Sequence, residues 1–256
     1  MPSSSDDGSI NVLLIGSGGR EHALALAITR SPRLGTLFIA NPGNPGIDAL
    51  GVPTGVPCSI REVYRLQQFC DAQQIGLVII GPEDPLAEGF TDKLASDGHG
   101  KPRAVFGPTA KGARLEADKA YAKKLMRAAG VPTGDARVFT DYDAAAAFVE
   151  GRQEPVVIKA AGLAKGKGVV VPTTKDQALE ALDAMLRRHA FGNAGQRVLV
   201  EERLEGPEIS VLALCDGRNI RTLPLCQDHK RLRDGDEGPN TGGMGAFCPA
   251  STLEQE

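Results

Sequence analysis

Tryptophan is absent from the 256 residues, and aromatic residues make up only 4% of them. A binder of single-stranded nucleic acid needs aromatic platforms on which bases stack, so that class is disfavoured. Basic excess is missing too: the formal net charge is −3, which leaves nothing to neutralise a phosphate backbone. No apolar run approaches the ~20 residues that span a bilayer. The first nine residues, MPSSSDDGS, lack the basic start and apolar core of a signal peptide, so residues 1–10 read as a loose tail and the protein as cytoplasmic. The five cysteines (Cys58, Cys70, Cys215, Cys226, Cys248) form an odd set without CxxC spacing. They read as buried or incidental thiols of a reducing compartment rather than as a metal or disulfide set. There is no internal repeat and no low-complexity segment. What remains is ordinary for a soluble globular chain, 41% apolar and 24% charged, with a length that suits two modest cores.

Strands and helices alternate through the first part. Val12–Ile15 is a short apolar strand closed by glycines and followed by helix-forming Glu21–Thr29. Thr36–Ala40 and Leu77–Ile80 are further strands. Ser59 and Glu62 have capping-box spacing ahead of a helix carrying Val63, Leu66 and Cys70. A helix near Leu86–Ser96 and a strand at Ala104–Phe106 continue the series. This pattern predicts an α/β, doubly wound parallel sheet over residues 11–117. Helical stretches Thr109–Glu116 and Lys119–Ala129 then lead to a hinge at Gly130-Val-Pro-Thr-Gly134. Beyond it come a strand (Arg137–Phe139), a helix (Tyr142–Glu150), a strand (Val156–Lys159), a glycine-rich turn, Val169–Val171, a long helix (Lys175–His189) and strand Val198–Glu201. Glu208–Cys215 and Arg221–Leu225 read as antiparallel strands, and the rest as a loop without a closing helix.

Two glycine-rich loops carry the chemistry. The first, Gly16-Ser-Gly18-Gly19-Arg20-Glu21, lies between a strand and a helix, where backbone N–H groups and the helix dipole favour an anion. A dinucleotide site is the first idea to test, and it fails twice. Glu21 occupies the third glycine position of GxGxxG, and the second strand ends in Asn41 rather than in an acidic ribose ligand. A small phosphate ligand is favoured, with a tight turn and no ligand as the alternative. Asn41-Pro-Gly43-Asn44-Pro-Gly46 and Gly81-Pro82-Glu83-Asp84-Pro85 follow the second and third strands, so all these loops share one carboxyl edge, where open α/β sheets bind ligands.

The second loop, Lys159-Ala-Ala-Gly162-Leu-Ala-Lys165-Gly166-Lys167-Gly168, resembles a Walker A loop only superficially. Its glycine spacing is one residue short, and Gly168 stands where Ser or Thr would bind magnesium. With strands on both sides it reads as a hairpin whose amides and lysines close over a triphosphate, or as a solvated lysine turn. Lys159, at the end of an apolar strand, needs a partner for its charge. Downstream, Glu201-Glu202-Arg203-Leu204-Glu205-Gly206-Pro207-Glu208 offers a strand, a bend and a carboxylate that suit an adenine edge and ribose hydroxyls.

A lysine at a strand end, a glycine hairpin and an EExLxGxE bend together resemble the ATP-grasp superfamily. GSGGREHA at 16–23, Gly107-Pro-Thr109 with Asp118-Lys119-Ala120, Gln227–Arg231 (QDHKR) and Gly238–Ala246 (GPNTGGMGA) narrow the resemblance to the phosphoribosylamine–glycine ligase family, in order from about residue 11 to 250. That resemblance implies an N-terminal phosphoribosylamine-binding domain (11–117) and an ATP-grasp domain of α+β type (118–256) with a lid subdomain near 135–201. It implies ATP, Mg2+ or Mn2+, glycine and 5-phosphoribosylamine as ligands; composition and the lack of a long apolar run argue against nucleic acid and membrane, and the sequence leaves the oligomeric state open, with a monomer as the expectation. Carried over by position, Lys119, Lys159, Gly166, Lys167, Gly168, Glu201, Glu202, Leu204 and Glu208 should hold ATP. Gly18, Gly19, Arg20, Glu21, Gly43, Asn44, Pro82 and Glu83 should contribute to the phosphoribosylamine site. Asp228, Lys230 and Arg231, with Lys159 and Lys167, take the catalytic roles, and Asn240, Thr241, Gly243 and Met244 position glycine and its acyl phosphate. His229 is as much a structural loop histidine as a catalytic part. The chain departs from the family at Ala161, usually Asp or Ser, and at Lys165, usually Ala. The family's metal ligands, a Glu and an Asn late in the fold, are not among these residues. The expectation is therefore a C-terminally truncated form with no metal ligand of its own and little activity alone. A non-catalytic ATP- or phosphosugar-binding module and another ATP-grasp carboxylate–amine ligase are the alternatives.

Overall fold

The computed structural model describes residues 8–164, 167–235 and 237–250, with 239 and 240 by backbone alone. Of the expected features, residues 1–7 of the tail, Lys165, Gly166, the Asn240 side chain and the end at 251–256 lie outside the described residues. The chain divides into two compact units, Met1–Ala122 and Lys123–Glu256.

In the first unit, strands β1 (Ile10–Ile15), β2 (Leu34–Ile39), β3 (Val52–Pro53), β4 (Ile75–Ile80) and β5 (Ala104–Phe106) form one sheet in the order β3-β2-β1-β4-β5. Every pairing is parallel. Helices α1 (Gly19–Thr29), α2 (Pro45–Asp48), α3 (Val63–Ala72), α4 (Glu83–Glu88), α5 (Phe90–Leu94) and α6 (Ala110–Ala117) connect or follow the strands. β1 reads as unbroken apolar sequence because both of its faces are covered. Leu13 and Ile15 join a cluster with Leu66, Cys70, Phe90 and Leu94, while Val12 and Leu14 join Ala25, Ile39 and Ile47. Two expectations are corrected. The helix near 86–96 is two short helices, because Gly89 sits at φ +90 and ends the first in a left-handed residue. The Ser59/Glu62 capping box does not form. Ser59 caps a 3-10 turn at Ile60–Glu62 by accepting from the Arg61 amide, and the Glu62 carboxylate pairs with Arg65 instead.

Helix α7 (Lys119–Ala128) spans the division between the units. The second unit holds a four-stranded antiparallel sheet of order β6-β9-β7-β8, built from β6 (Ala136–Phe139), β7 (Val156–Ala160), β8 (Val169–Val170) and β9 (Val198–Glu202). Helices α8 (Tyr142–Glu150), capped by Asp141, and α9 (Lys175–Leu182), capped by Thr174, cover one face. The expected helix to His189 instead passes into a π-turn at Asp183–Arg187. Strand alternation sorts the residues of β7 and β9 between two faces. Val156, Ile158, Ala160, Val198 and Val200 enter the apolar core, and Val157, Lys159, Leu199 and Glu201 take the opposite face.

Beyond this sheet, β10 (Ala213–Cys215) pairs with β11 (Ile220–Thr222), a shorter ladder than the one expected from Glu208. The final stretch, read from sequence as a loop, is a second antiparallel hairpin of β12 (Gln227–Arg233) and β13 (Glu237–Phe247). Its glycines hide it from pattern reading: β13 shows no alternation of apolar side chains, and the register is interrupted twice.

Candidate functional site

The first unit gathers its polar residues at the carboxyl ends of β1, β2 and β4. The Gly16 amide donates to Asn41 Oδ1 at 3.1 Å, and Asn44 Nδ2 donates to the Ser17 carbonyl at 2.9 Å. Asn44 also caps α2 by accepting from the Gly46 amide at 3.0 Å, and the Gly43 amide, at φ +124, donates to Asp48 at 2.8 Å. Arg20 Nη1 donates to the Gly81 carbonyl at 2.8 Å, and its guanidinium lies 3.8 Å from the carboxylate of Glu83, the first residue of α4 after Pro82. The three loops are thus tied to one another by side chains. Gly19 opens α1 with clear space around it, as a close-approaching anion requires.

Glu21 is turned inward: it is 3% exposed, and its Oε2 accepts from the Gly18 amide at 2.7 Å. A Cβ at Gly81 would come within 2.0 Å of Oε1, and one at Gly16 within 2.6 Å of Cγ. The carboxylate packs beneath two glycines and props the loop from inside. A side chain so placed contacts the loop itself.

In the second unit, Lys159 on β7 and Glu201 on β9 face the same side of the sheet, and Lys159 Nζ lies 2.7 Å from Glu201 Oε2. The other oxygen, Oε1, accepts from Lys123 Nζ at 2.5 Å. Lys123 is buried, and its ammonium also donates to Thr133 Oγ1 at 2.5 Å and to the Gly134 carbonyl at 2.9 Å. Glu201 is therefore a buried carboxylate between two ammonium groups. Lys123 escaped sequence reading altogether. The one signal it gave is its place a helical turn after Lys119, on a helix that must bury one face.

A cavity of about 770 Å³ opens on this unit, lined by Val157, Val171, the bend Arg203–Glu208, Gln227–Arg231 and Gly235. Val157 is on the same face as Lys159, two residues along the strand. Glu208 and Lys230 form a hydrogen-bonded ion pair in its wall. Asp228 lies 3.5 Å from the same ammonium and accepts from Ser210 Oγ at 3.2 Å. Glu208 holds the Lys230 pKa above its ordinary value by accepting a hydrogen bond from the charged form. Lys230 therefore stays an ammonium at neutral pH and offers charge rather than a basic lone pair. Leu204 is two-thirds exposed at the bend, and its amide makes no hydrogen bond among the described residues. The Glu202 side chain turns to the Asp135 amide at 3.1 Å.

The other expected residues fall into place around these. Lys119 is the first residue of α7, in the first unit. Lys167 is exposed, and its amide donates to the Ala164 carbonyl at 2.9 Å. Gly168 is buried, and a Cβ there would meet the Ala164 Cβ at 2.7 Å. Arg231 lines the cavity. Thr241 Oγ1 donates to the Lys230 carbonyl at 2.8 Å and accepts from the Gly243 amide at 3.1 Å, which brings the GPNTGGMGA segment beside the cavity wall. Asn240 pairs by backbone with Arg231, and Met244 is exposed. The His229 ring stacks on Phe247, with centroids 5.9 Å apart, a packing role for its imidazole.

Comparisons with known proteins add the following. Residues 10–116 match the family model described as "Phosphoribosylglycinamide synthetase, N domain", and residues 117–256 match "Phosphoribosylglycinamide synthetase, ATP-grasp (A) domain". A phosphoribosylamine–glycine ligase of Rhodopirellula baltica is 48% identical over 96% of this chain and 56% of that protein. The trifunctional purine biosynthetic protein adenosine-3 of Homo sapiens is 43% identical over 96% of this chain and 24% of that protein. Among solved structures, the phosphoribosylamine–glycine ligase of Thermotoga maritima superposes with a TM-score of 0.75 at 32% identity, covering 94% of this chain and 56% of that one. The chain thus spans about half the length of the single-function ligases it matches.

Proposed function

The chain belongs to the phosphoribosylglycinamide synthetase family, and from that premise we propose that it works in the ATP-dependent ligation of glycine to 5-phosphoribosylamine. In this reading ATP gives its γ-phosphoryl group to a carboxylate oxygen of glycine, forming glycyl phosphate and ADP. The amine of phosphoribosylamine then attacks the glycyl carbonyl carbon, expels phosphate and loses a proton, giving glycinamide ribonucleotide. A carboxylate resists attack by an amine until one oxygen carries a good leaving group, which is the work the triphosphate does. Phosphoryl transfer needs positioning and cations more than a protein base.

The observation that carries the reading is the cavity bounded by the Arg203–Glu208 bend and the Gln227–Arg231 strand. Its volume lies within the ~300–1,000 Å³ usual for small-ligand sites. We assign Leu204 to the adenine edge, Glu208 to the ribose, and Lys159, Lys167 and Lys230 to the phosphates. Asp228 and Arg231, with Asn240, Thr241, Gly243 and Met244, orient glycine and its acyl phosphate. In the first unit, the Gly18–Arg20 turn with Gly43, Asn44 and Pro82-Glu83 is assigned to phosphoribosylamine, the Gly19 and Arg20 amides receiving the phosphate. Mg2+ or Mn2+ is proposed to accompany the nucleotide. Among the described residues no group of three or more His, Cys, Asp or Glu is placed to hold a metal ion, so no step is routed through one. A cytoplasmic monomer fits this reading, and among the described residues no helix is long and apolar enough to cross a membrane.

Calorimetric titration with ATP, alongside an assay for ADP release dependent on glycine and phosphoribosylamine, tests the assignment. Lys159→Met and Glu208→Gln should each weaken ATP binding by about tenfold or more, as the loss of a charge-assisted contact to a ligand does. Unchanged ATP affinity in both variants overturns the reading. Binding without ADP release selects a non-catalytic nucleotide module instead.

A further inference from the structure

The two lysines that share Glu201 are not equivalent. Lys123 uses all three of its ammonium donors, on Glu201 Oε1, Thr133 Oγ1 and the Gly134 carbonyl. Its side chain is 10% exposed. Lys159 is held by Glu201 Oε2 alone among the described residues, its side chain is 27% exposed, and it stands on the strand face that carries Val157 into the cavity. Oε2 is buried, and Lys159 Nζ is the cation against it at 2.7 Å. One oxygen of Glu201 thus faces an ammonium fixed by three acceptors, and the other faces an ammonium with a single partner among the described residues.

We infer that Lys123 is a positioning residue: it holds the charge of Glu201 so that Lys159 can leave the carboxylate for a polyphosphate in the cavity. This rests on the reading of that cavity as a triphosphate site. A buried carboxylate stripped of its only cation is strongly disfavoured. With Lys123 fixed in place, Glu201 keeps a full counter-charge when Lys159 departs. Without Lys123, Lys159 is the last cation left to Glu201, and releasing it to a ligand opposes binding. Lys123 itself never meets the nucleotide, because its three donors point elsewhere.

The experiment measures ATP and adenosine affinity in the wild-type chain and in Lys123→Met, Glu201→Gln, the double variant and Thr133→Val. Lys123→Met should weaken ATP binding about tenfold, equal to ~1.4 kcal/mol, and leave adenosine unchanged. Adding Glu201→Gln to it should restore ATP affinity, because a neutral amide no longer retains Lys159. A purely structural role for Lys123 predicts a double variant no better than the single one, and that result overturns the inference. Thr133→Val, which removes one of the three acceptors, should give a smaller fall confined to ATP. Should Lys123→Met fail to fold, Glu201→Gln alone decides with Thr133→Val: ATP affinity raised severalfold in the first and lowered in the second supports the inference, and any other pairing refutes it. Absence of ATP binding by the wild-type chain refutes the triphosphate site itself, a result distinct from all of these.

Discussion

The two glycine-rich loops look alike in sequence but are held by different means. The first, at the end of β1, is braced by side chains: Asn41 and Asn44 from the next loop and Glu21 from beneath meet its backbone, and Arg20 reaches out to the Gly81 loop. The second, between β7 and β8, is held among its described residues mostly by backbone. The Ala160 amide donates to the Gly168 carbonyl at 2.7 Å, and the Gly162 amide donates to the Ala194 carbonyl at 3.1 Å. A Cβ at Gly162 would lie 2.7 Å from the Ala194 Cα, so that glycine is required by close approach rather than by conformation. The charge beside each loop differs as well. Glu21 accepts from a backbone amide and has one exposed guanidinium, that of Arg20, 3.7 Å from its other oxygen, whereas Glu201 lies between two ammonium groups. A brace made mainly of side chain to backbone hydrogen bonds suits a preformed turn, and a carboxylate shared by two cations suits a site that rearranges around a highly charged ligand.

The sharpest way to break this comparison is to delete each carboxylate. Glu201→Ala leaves the buried Lys123 ammonium without its counter-charge and should cost about 3–5 kcal/mol. Glu21→Ala leaves one unsatisfied amide and should cost only about 1–3 kcal/mol. Urea unfolding of both variants checks the order, and equal losses would erase the distinction. An effect of similar size is expected at Gly81→Ala, whose new methyl collides with Glu21. Overpacking of this kind costs about 1–3 kcal/mol, and Glu21→Ala in the same chain should recover part of that loss. If it recovers nothing, Glu21 is not the prop beneath the loop. The least costly test uses thiols. Burial pushes Cys58 and Cys70 of the first unit up to about 11, while Cys215 and Cys248 of the second are exposed. At pH 8 a disulfide reagent should label the exposed thiols quickly, and half-buried Cys58 and buried Cys70 slowly. The folded state holds those two protons above the ordinary thiol value of 9.0, so their contribution is complete below pH 9 and is lost as pH rises toward 11. Near-UV circular dichroism of the first unit's residues across that window reads the loss.

Much of the first unit was legible because parallel strands covered on both faces are written as unbroken apolar runs, and Val12–Ile15 and Leu77–Ile80 are such runs. The loops at their carboxyl ends followed from connectivity alone. The fates of Asn41 and Glu21 did not follow, since cross-loop hydrogen bonds join residues 25 apart or turn a carboxylate inward without leaving any periodic trace. In the second unit, Lys159 was conspicuous as a charge ending an apolar strand, and the need for a partner was sound. The partner is Glu201, which the sequence places only within the adenine-facing bend, and the other half of the arrangement is Lys123, 78 residues from Glu201 in sequence. Pairings at that range are set by tertiary packing. The β12–β13 hairpin was missed for a different reason: glycine and threonine in place of alternating apolar residues give an extended strand no pattern to show.

The alternation along β7 and β9 has a consequence for length variation in this part of the chain. One strand face carries Val198 and Val200 into the apolar core, and the other presents Leu199 and Glu201. Losing or gaining a single residue within either strand would swap the two sets, burying ammonium and carboxylate groups under α8 and α9 and turning valines toward solvent. Changes by two residues would preserve the assignment of faces and merely slide the lysine along the ladder. Chains descended from this one should therefore tolerate insertions inside these strands in pairs, and odd-numbered changes only in the turns that join them.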